Sequence, residues 1–486
     1  MRLNGPIILR FLGLLLMLNG TFMAASAIAS AIFQDGSGPA LLVSGALTLI
    51  VGLAGYIFGS TRDKNISKRD GYLIVSLGWV VMALSGCLPF IISGEIPSFV
   101  DALFETMSGY TTTGATILED IEVVAPGLLL WRSITHWIGG MGIIVLTIAI
   151  LPLLGIGGMQ LFSAEAPGPS ADKLHPRITE TAKRLWAIYV MMTMAEIVLL
   201  KLGGLTWFDS ITHSFATVST GGFSTKNASI GHFDSAYVQY VITAFMFMSG
   251  VNFSLTYFAL KGRISKLYKN EEFLAFTSVI LGLTLLTAVI LWLVDHGGVE
   301  HSFRDALFQV TAMVTTTGFV TTDLTKIPGA PMLTVLLFLL LFSGGSAGST
   351  AGGVKIVRHM IIAKNGIMEL KRLLHPNAVI PVRFDGRPVR GRITFNIMAF
   401  FLIYLSIFVV SSMTIGLTGL GFETSIGAVA SCLGNVGPAI GDVCPSCNYA
   451  GIGGFGKLFL AILMLIGRLE IFTILILFTP YFWRRY

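Results

Sequence analysis

Charge is scarce in this chain. Asp, Glu, Lys and Arg make up 12% of its 486 residues, about half the roughly 25% usual in soluble domains. That shortage excludes an ordinary water-soluble globule. Cysteine is scarce too, with four residues. Cys444 and Cys447 form a C-x-x-C, but no two further ligands lie near it to complete a zinc site. The pair is left with two readings, a local disulfide in an oxidising exterior or two inert thiols. Cys87 and Cys432 read as small buried apolar residues. The net charge is +6, yet no aromatic-rich soluble module accompanies it, so no nucleic-acid partner is expected.

Apolar residues dominate instead, at 54%, with a mean hydropathy of +0.79 and 55 glycines. About 20 apolar residues cross about 30 Å of hydrocarbon. Ten such spans are expected, at 8–33, 38–60, 72–93, 126–156, 185–203, 236–262, 272–295, 331–360, 394–420 and 455–480. The first resembles a signal peptide, but Arg10 interrupts its apolar run and it extends far enough to span, so it is read as a retained helix. Basic residues gather after alternate spans: Arg62 to Arg69, Lys173 to Arg184, Lys261 to Lys269, Lys364 to Arg392, and Arg484 with Arg485. The intervening loops carry Asp35, Glu95, Glu119, Asp120, Glu122, Asp295, Glu300, Asp323 and Asp442. The positive-inside rule then places both termini in the cytoplasm.

Four short turns repeat along the chain: Thr112-Thr113-Gly114, Ser219-Thr220-Gly221, Thr316-Thr317-Gly318 and Asn435-Val436-Gly437. From Asp101, Asp209, Asp305 and Thr424 to the turn glycine the spacings are 13, 12, 13 and 13 residues. A lone T-T-G string is an ordinary turn. Four at matched spacing, each between two spans, indicate an internal repeat. The expected unit is M1–P–M2, where P is a helix too short to cross. All four units share one orientation, unlike the inverted repeats of many secondary transporters. The expected fold is an all-α polytopic membrane protein, with four parallel repeats around a pseudo-fourfold pore and an N-terminal helical pair. The pair covers 1–70, and the repeats cover 71–184, 185–270, 271–392 and 393–486.

Non-helical backbone at membrane depth survives only when buried in protein or facing a water-filled cavity. Four re-entrant turns meeting on an axis satisfy that condition. Their carbonyl oxygens can replace the water shell of a potassium ion. Pore helices pointing their C-termini at the cavity favour a cation there. Asp101, Glu105, Glu119, Asp120, Asp209 and Asp305 are expected to add an outer cation-attracting field. His136 and His213 read as satisfied packing residues rather than ligands.

Five glycines fall within Gly344-Gly345-Ser346-Ala347-Gly348-Ser349-Thr350-Ala351-Gly352-Gly353. At about 1 kcal/mol each against helix formation, they should break this span, with Ser346, Ser349 and Thr350 satisfying the freed backbone. A movable plug is expected, against the alternative of a small-residue packing face. Arg468 lies within span ten. Buried charge at that depth is costly, so it is read as a cation barrier or as the partner of Glu470 or another acid. Gly344-Gly345-Ser346-Ala347-Gly348 also fits the G-x-S-x-G of a nucleophile elbow, but the strand-turn-helix setting is missing.

These residues, together with Arg132-Ser-Ile-Thr-His-Trp-Ile-Gly-Gly-Met141 and Met248-Ser-Gly-Val-Asn-Phe253, resemble the TrkH-type subunits of bacterial Trk potassium uptake systems, within the Trk/Ktr/HKT superfamily. The resemblance covers essentially the whole chain. It implies potassium uptake, not enzymatic catalysis, in the bacterial inner membrane, through a homodimer with one pore per protomer. It also implies a cytoplasmic ring of TrkA-type subunits that bind nucleotide (NAD, ATP or ADP). Potassium is then cargo, and no organic cofactor is expected on this chain. Plant-type relatives often place serine at the first filter glycine and admit sodium, so Gly114 implies potassium preference. Val436 departs from the threonine pattern and implies an asymmetric filter. Two rival classes are a symporter coupling potassium to H⁺ or Na⁺ and, remotely, an intramembrane serine hydrolase centred on Ser346.

Overall fold

The computed structural model describes residues 3–60, 66–142, 178–295, 298–378 and 380–484. The expected inner part of span four and the basic residues Arg62, Lys64, Lys173, Arg177 and Arg485 lie outside them. The architecture is helical, with one two-residue hairpin, Arg383–Phe384 paired to Arg387–Pro388. Asp385 and Gly386 take left-handed conformations at its turn, as a two-residue hairpin requires. The Asp385 carboxylate accepts from Glu271 N and Asn270 Nδ2 at 2.8 and 3.1 Å, anchoring the start of the helix Glu271–Asp295.

Two helices, Gly5–Phe33 and Gly38–Phe58, pack along each other as an N-terminal pair. Their approach is backbone to backbone. A methyl on Gly13 would lie 2.6 Å from the Gly52 carbonyl, and one on Gly52 would lie 2.8 Å from that of Gly13. Such small-residue contact is how helices associate where lipid removes the hydrophobic driving force.

Four outer helices follow at intervals: Lys68–Gly86, Ile178–Leu202, Glu271–Asp295 and Gly391–Gly416. After each comes a short pore helix: Phe99–Tyr110, Trp207–Val218, Val299–Val314 and Phe422–Gly434. At 12 to 16 residues and about 1.5 Å each, none crosses a membrane. Ser98 and Thr206 cap the first two by accepting from Asp101 N and Asp209 N.

The inner helices differ from expectation. Six helices among the described residues are long and apolar enough to span, or eight if each bent pair counts once. The ten-span reading assumed continuous inner helices in repeats one, two and four. Instead Pro126–Gly140 gives way to a turn at Met141 and Gly142. Ala236–Gly250 bends by 110° into Phe253–Leu260, and Gly454–Arg468 bends by 108° into the following helical segment. The third is broken as expected: Pro331–Leu340 ends, and helix resumes only at Ile356–Leu374. In repeat four the break is forced through Glu470 and Ile471, both with positive φ. A β-branched residue there is strained.

Substituting Gly13 by Leu should part the N-terminal pair and cost about 1–3 kcal/mol by overpacking. Thermal unfolding of the purified protein checks this, with Gly5→Ala as the control, since nothing lies within 4 Å of Gly5 at that position.

Candidate functional site

The four pore helices end in one backbone motif. Thr112, Thr220, Thr316 and Asn435 are all left-handed, with φ of 51°, 56°, 54° and 53°. The next amides, of Thr113, Gly221, Thr317 and Val436, donate to carbonyls five residues back, at Ser108, Ala216, Ala312 and Ser431, over 2.8 to 3.0 Å. This six-to-one bond is the Schellman closure of a helix C-terminus, where glycine or asparagine is usual. Three of the four positions carry threonine, at about 1–2 kcal/mol against the left-handed conformation. Strain of this kind is concentrated at functional sites.

Two residues beyond each of these sits a second left-handed residue: Gly114, Gly222, Gly318 and Gly437. The second turn is therefore displaced by one residue from the sequence reading. Its conformational equivalents are Thr220-Gly221-Gly222, not Ser219-Thr220-Gly221. The spacing gives the same answer, since Asp209 to Gly222 is 13 residues, like the other three repeats. Two adjacent glycines concealed the register.

The turns close on each other in chain order. A methyl on Gly114 would overlap the carbonyl oxygen of Gly221, one on Gly222 that of Thr317, and one on Gly318 that of Val436. On Gly437 it would lie 2.6 Å from the carbonyl of Thr113. Four equivalent carbonyls thus alternate with four glycines around a ring. The last joint is reinforced by Asn435 Nδ2, which donates to Thr113 Oγ1 at 3.0 Å and to Met464 O at 2.8 Å. The Gly437 carbonyl accepts from Ser431 Oγ and Tyr449 OH, so it turns into the protein.

The acidic residues behind the ring are committed. Glu105, 1% exposed, pairs with Arg132 at 2.7 Å and accepts from Thr116 Oγ1 and Ile117 N. Asp209 accepts from Thr225, Asp305 from Thr322, and Asp442 from Thr424. Asp101 pairs with Lys457 at 2.6 Å. These bonds staple the limb after each turn, or the neighbouring helix, to a pore helix. Ion pairs with Arg132 and Lys457 offset the charges of Glu105 and Asp101, whereas Asp209 and Asp305 accept from neutral hydroxyls. Glu119 and Asp120 do lie exposed. Cys444 and Cys447 are joined as a disulfide, and Ser446 between them donates to Asp323 at 2.6 Å. Burial pushes the Asp323 carboxyl up, but bonds from Ser446 and Thr325 outweigh it and hold the group below its ordinary value.

Residues 341–355 cross beneath the ring and touch the second, third and fourth repeats directly. Ser346 N donates to Gly250 O and Thr350 N to Ser249 O, at 2.9 and 3.3 Å. Ala347 N donates to Glu272 Oε1 at 2.7 Å. The Thr350 hydroxyl reaches Val218 O at 3.1 Å, at the end of the second pore helix. Gly352 N donates to Thr316 Oγ1 at 2.7 Å, and a methyl on Gly352 would lie 2.8 Å from Asn435 Cβ. Neighbouring helices, more than the segment's own hydroxyls, satisfy the broken backbone. Ser346 Oγ is buried without a hydrogen-bond partner among the described residues.

Arg468 completes the crossing. Its guanidinium donates to Thr350 O at 2.9 Å, and to Gly139 O and Gly140 O at 2.6 and 3.1 Å. A cation at the C-terminal carbonyls of the first inner helix is favoured by the helix dipole. Glu470, one of the acids expected to pair with Arg468, forms an ion pair with Arg358.

A closed ring of turns inside a helical bundle, with a charged crossing beneath it, defines a polytopic membrane protein built around one central ring of turns. The family model described as TrkH, cation transport protein, matches residues 37–485. The chain belongs to the TrkH family. It is 41% identical over 481 residues to the Trk system potassium uptake protein TrkH of Halomonas elongata, covering 98% of this chain and 99% of that protein. It is 42% identical over 482 residues to TrkH of Escherichia coli K12, with the same coverage. The crystal structure of the potassium transporter TrkH from Vibrio parahaemolyticus superposes with a TM-score of 0.89, at 39% identity, covering 100% of both chains.

Replacing Thr112 by glycine should relieve left-handed strain, since Thr112 Oγ1 has no partner to lose among the described residues. Unfolding stability should stay level or rise by up to about 1 kcal/mol. A fall of more than that amount in thermal unfolding would remove the strain reading. Asp323 contributes stability above the ordinary carboxylate pKa of about 4, and that contribution is lost as pH falls through its lower folded value. Asp323→Asn should therefore lower the melting temperature at neutral pH, by an amount that shrinks as pH falls progressively below the ordinary carboxylate value of about 4.

Proposed function

We propose that this chain carries potassium ions inward across a bacterial cytoplasmic membrane, through a gated, channel-like pore with both termini in the cytoplasm. The observation that carries this reading is the closed ring of carbonyls and glycines. A potassium ion stripped of water needs several oxygen ligands at once, and equivalent carbonyls from four turns can supply them. The ligating segments are 112–114, 220–222, 316–318 and 435–437. The chain divides into the N-terminal pair at 1–70 and four repeats beginning at 71, 185, 271 and 393.

Residues 344–353 and Arg468 form the barrier in this reading. A fixed positive charge beneath the turns repels a cation on the axis, and Arg468 is tied to the segment it would move with. Opening requires the crossing to exchange its bonds to Val218, Ser249, Gly250 and Thr316 for others. We assign that work to a cytoplasmic nucleotide-binding ring acting on a homodimer of this chain. Relatives named for a Trk system support such an assembly. The chain itself needs no organic cofactor for this.

Purified protein in liposomes tests the function. Potassium and rubidium flux above sodium and lithium, driven by the gradient alone, is expected. Flux that requires a proton or sodium gradient would replace this reading with a symporter. Arg468→Ala should raise basal potassium flux roughly tenfold, since about 1.4 kcal/mol of barrier is a factor of ten. Unchanged flux in folded protein would remove the barrier role. Gly114→Ser, which forces a side chain against the Gly221 carbonyl, should lower the potassium-to-sodium flux ratio, and an unaltered ratio would count against the ligating turns.

A further inference from the structure

We infer that His136, on the inner helix of repeat one, fills the side-chain place that the second turn lacks and is a positioning residue for ion discrimination there. The four ring carbonyls belong to Thr113, Gly221, Thr317 and Val436. Three of these residues have branched side chains packed behind the ring. Thr113 and Thr317 tie back through their hydroxyls to Thr111 and Thr315 at 2.8 Å. The second has none. Its glycine is not demanded by conformation, because Gly221 is absent from the positive-φ residues, unlike Gly222 beside it. It is demanded by space. A methyl on Gly221 would overlap the His136 ring, with Nδ1, Cγ and Cε1 the nearest atoms.

The imidazole is held as a built part. It is fully buried and stacks on Phe223 with centroids 3.9 Å apart and planes 13° apart. Phe223 also lies 3.4 Å from the Arg132 guanidinium. Arg132 is fixed in turn by Glu105 at 2.7 Å and by Ser224 O at 3.1 Å. Phe223 and Ser224 directly follow Gly222, so the limb of the second turn clamps the ring that supports it. Neither ring nitrogen makes a hydrogen bond of ordinary geometry among the described residues, although the Ser108 backbone lies near enough to influence it. An ordinary packing position would be filled more cheaply by an apolar side chain. The His136 ring is instead pressed against the peptide whose carbonyl enters the ring.

The inference rests on the turns being the selective element, which the Gly114→Ser comparison tests separately. If that variant alters the flux ratio and the following ones do not, only the role of His136 fails. His136→Ala should lower the potassium-to-sodium flux ratio in liposomes about tenfold, a coupling normal for residues in contact. Gly221→Thr alone, colliding with the imidazole, should lose flux. The double variant His136→Ala/Gly221→Thr should regain a ratio within about threefold of the parent, because threonine restores the side chain its counterparts carry. His136→Gln, keeping bulk and polarity, should also stay within about threefold. A merely structural residue would shift the melting temperature of these variants without this pattern. An unchanged ratio in folded His136→Ala, or a double variant no better than the poorer single one, overturns the inference. Should His136→Ala fail to fold, recovery of fold and ratio in the double variant sustains the inference, and failure of both there overturns it.

Discussion

Everything in this structure answers to one constraint: a peptide group in hydrocarbon must find a hydrogen-bond partner or a polar space. Helices meet it within themselves, and no lone open turn can. The chain makes four such turns and lets each complete the next. The Schellman closures satisfy the pore-helix ends internally, and the remaining carbonyls are brought together on one ring. Backbone polarity left over from four helix ends is thus collected in one place. The strained threonines and the glycines with no room for a methyl are what keep those carbonyls from finding partners elsewhere.

The same constraint explains the crossing beneath the ring. Residues 341–355 are tolerated because Val218, Ser249, Gly250, Glu272 and Thr316 each receive a donor from them. These partners lie on the second and third repeats, while Arg468 carries the contact to the first and fourth. The crossing is therefore bonded to the turns it lies beneath. Its bonds are individually modest, on the order of 1 kcal/mol net, and several must be exchanged together. That combination suits a two-position element better than a soft one.

Much of this was legible in the sequence. Apolar lengths, the basic loops and the four turns gave the helical class, the repeat and the glycine-rich break, because each depends on local composition or spacing. The breaks in the other inner helices were less visible. Gly139-Gly140, Gly250 and Gly467 are single or paired glycines, and such residues also serve ordinary close packing. The register of the second turn was hidden by two consecutive glycines, though the unequal spacing of 12 against 13 was its trace. The partners of Arg468 were not readable at all, since they are backbone carbonyls and carry no residue signature. His136 looked like any packed histidine until the ring behind Gly221 was seen in three dimensions.

The last turn is also joined to the first. Gly437 seats against Thr113, Asn435 bonds Thr113, and Lys457 pairs with Asp101, across more than 300 residues of chain. That joint is made as fully as those between turns that follow one another in sequence. Covalent succession is thus not what orders the ring. The protein is topologically a circle that happens to be cut between its fourth repeat and its N-terminal pair. A circular permutation that opened it in the exposed stretch around Gly262, between the second and third repeats, would preserve each contact of the ring.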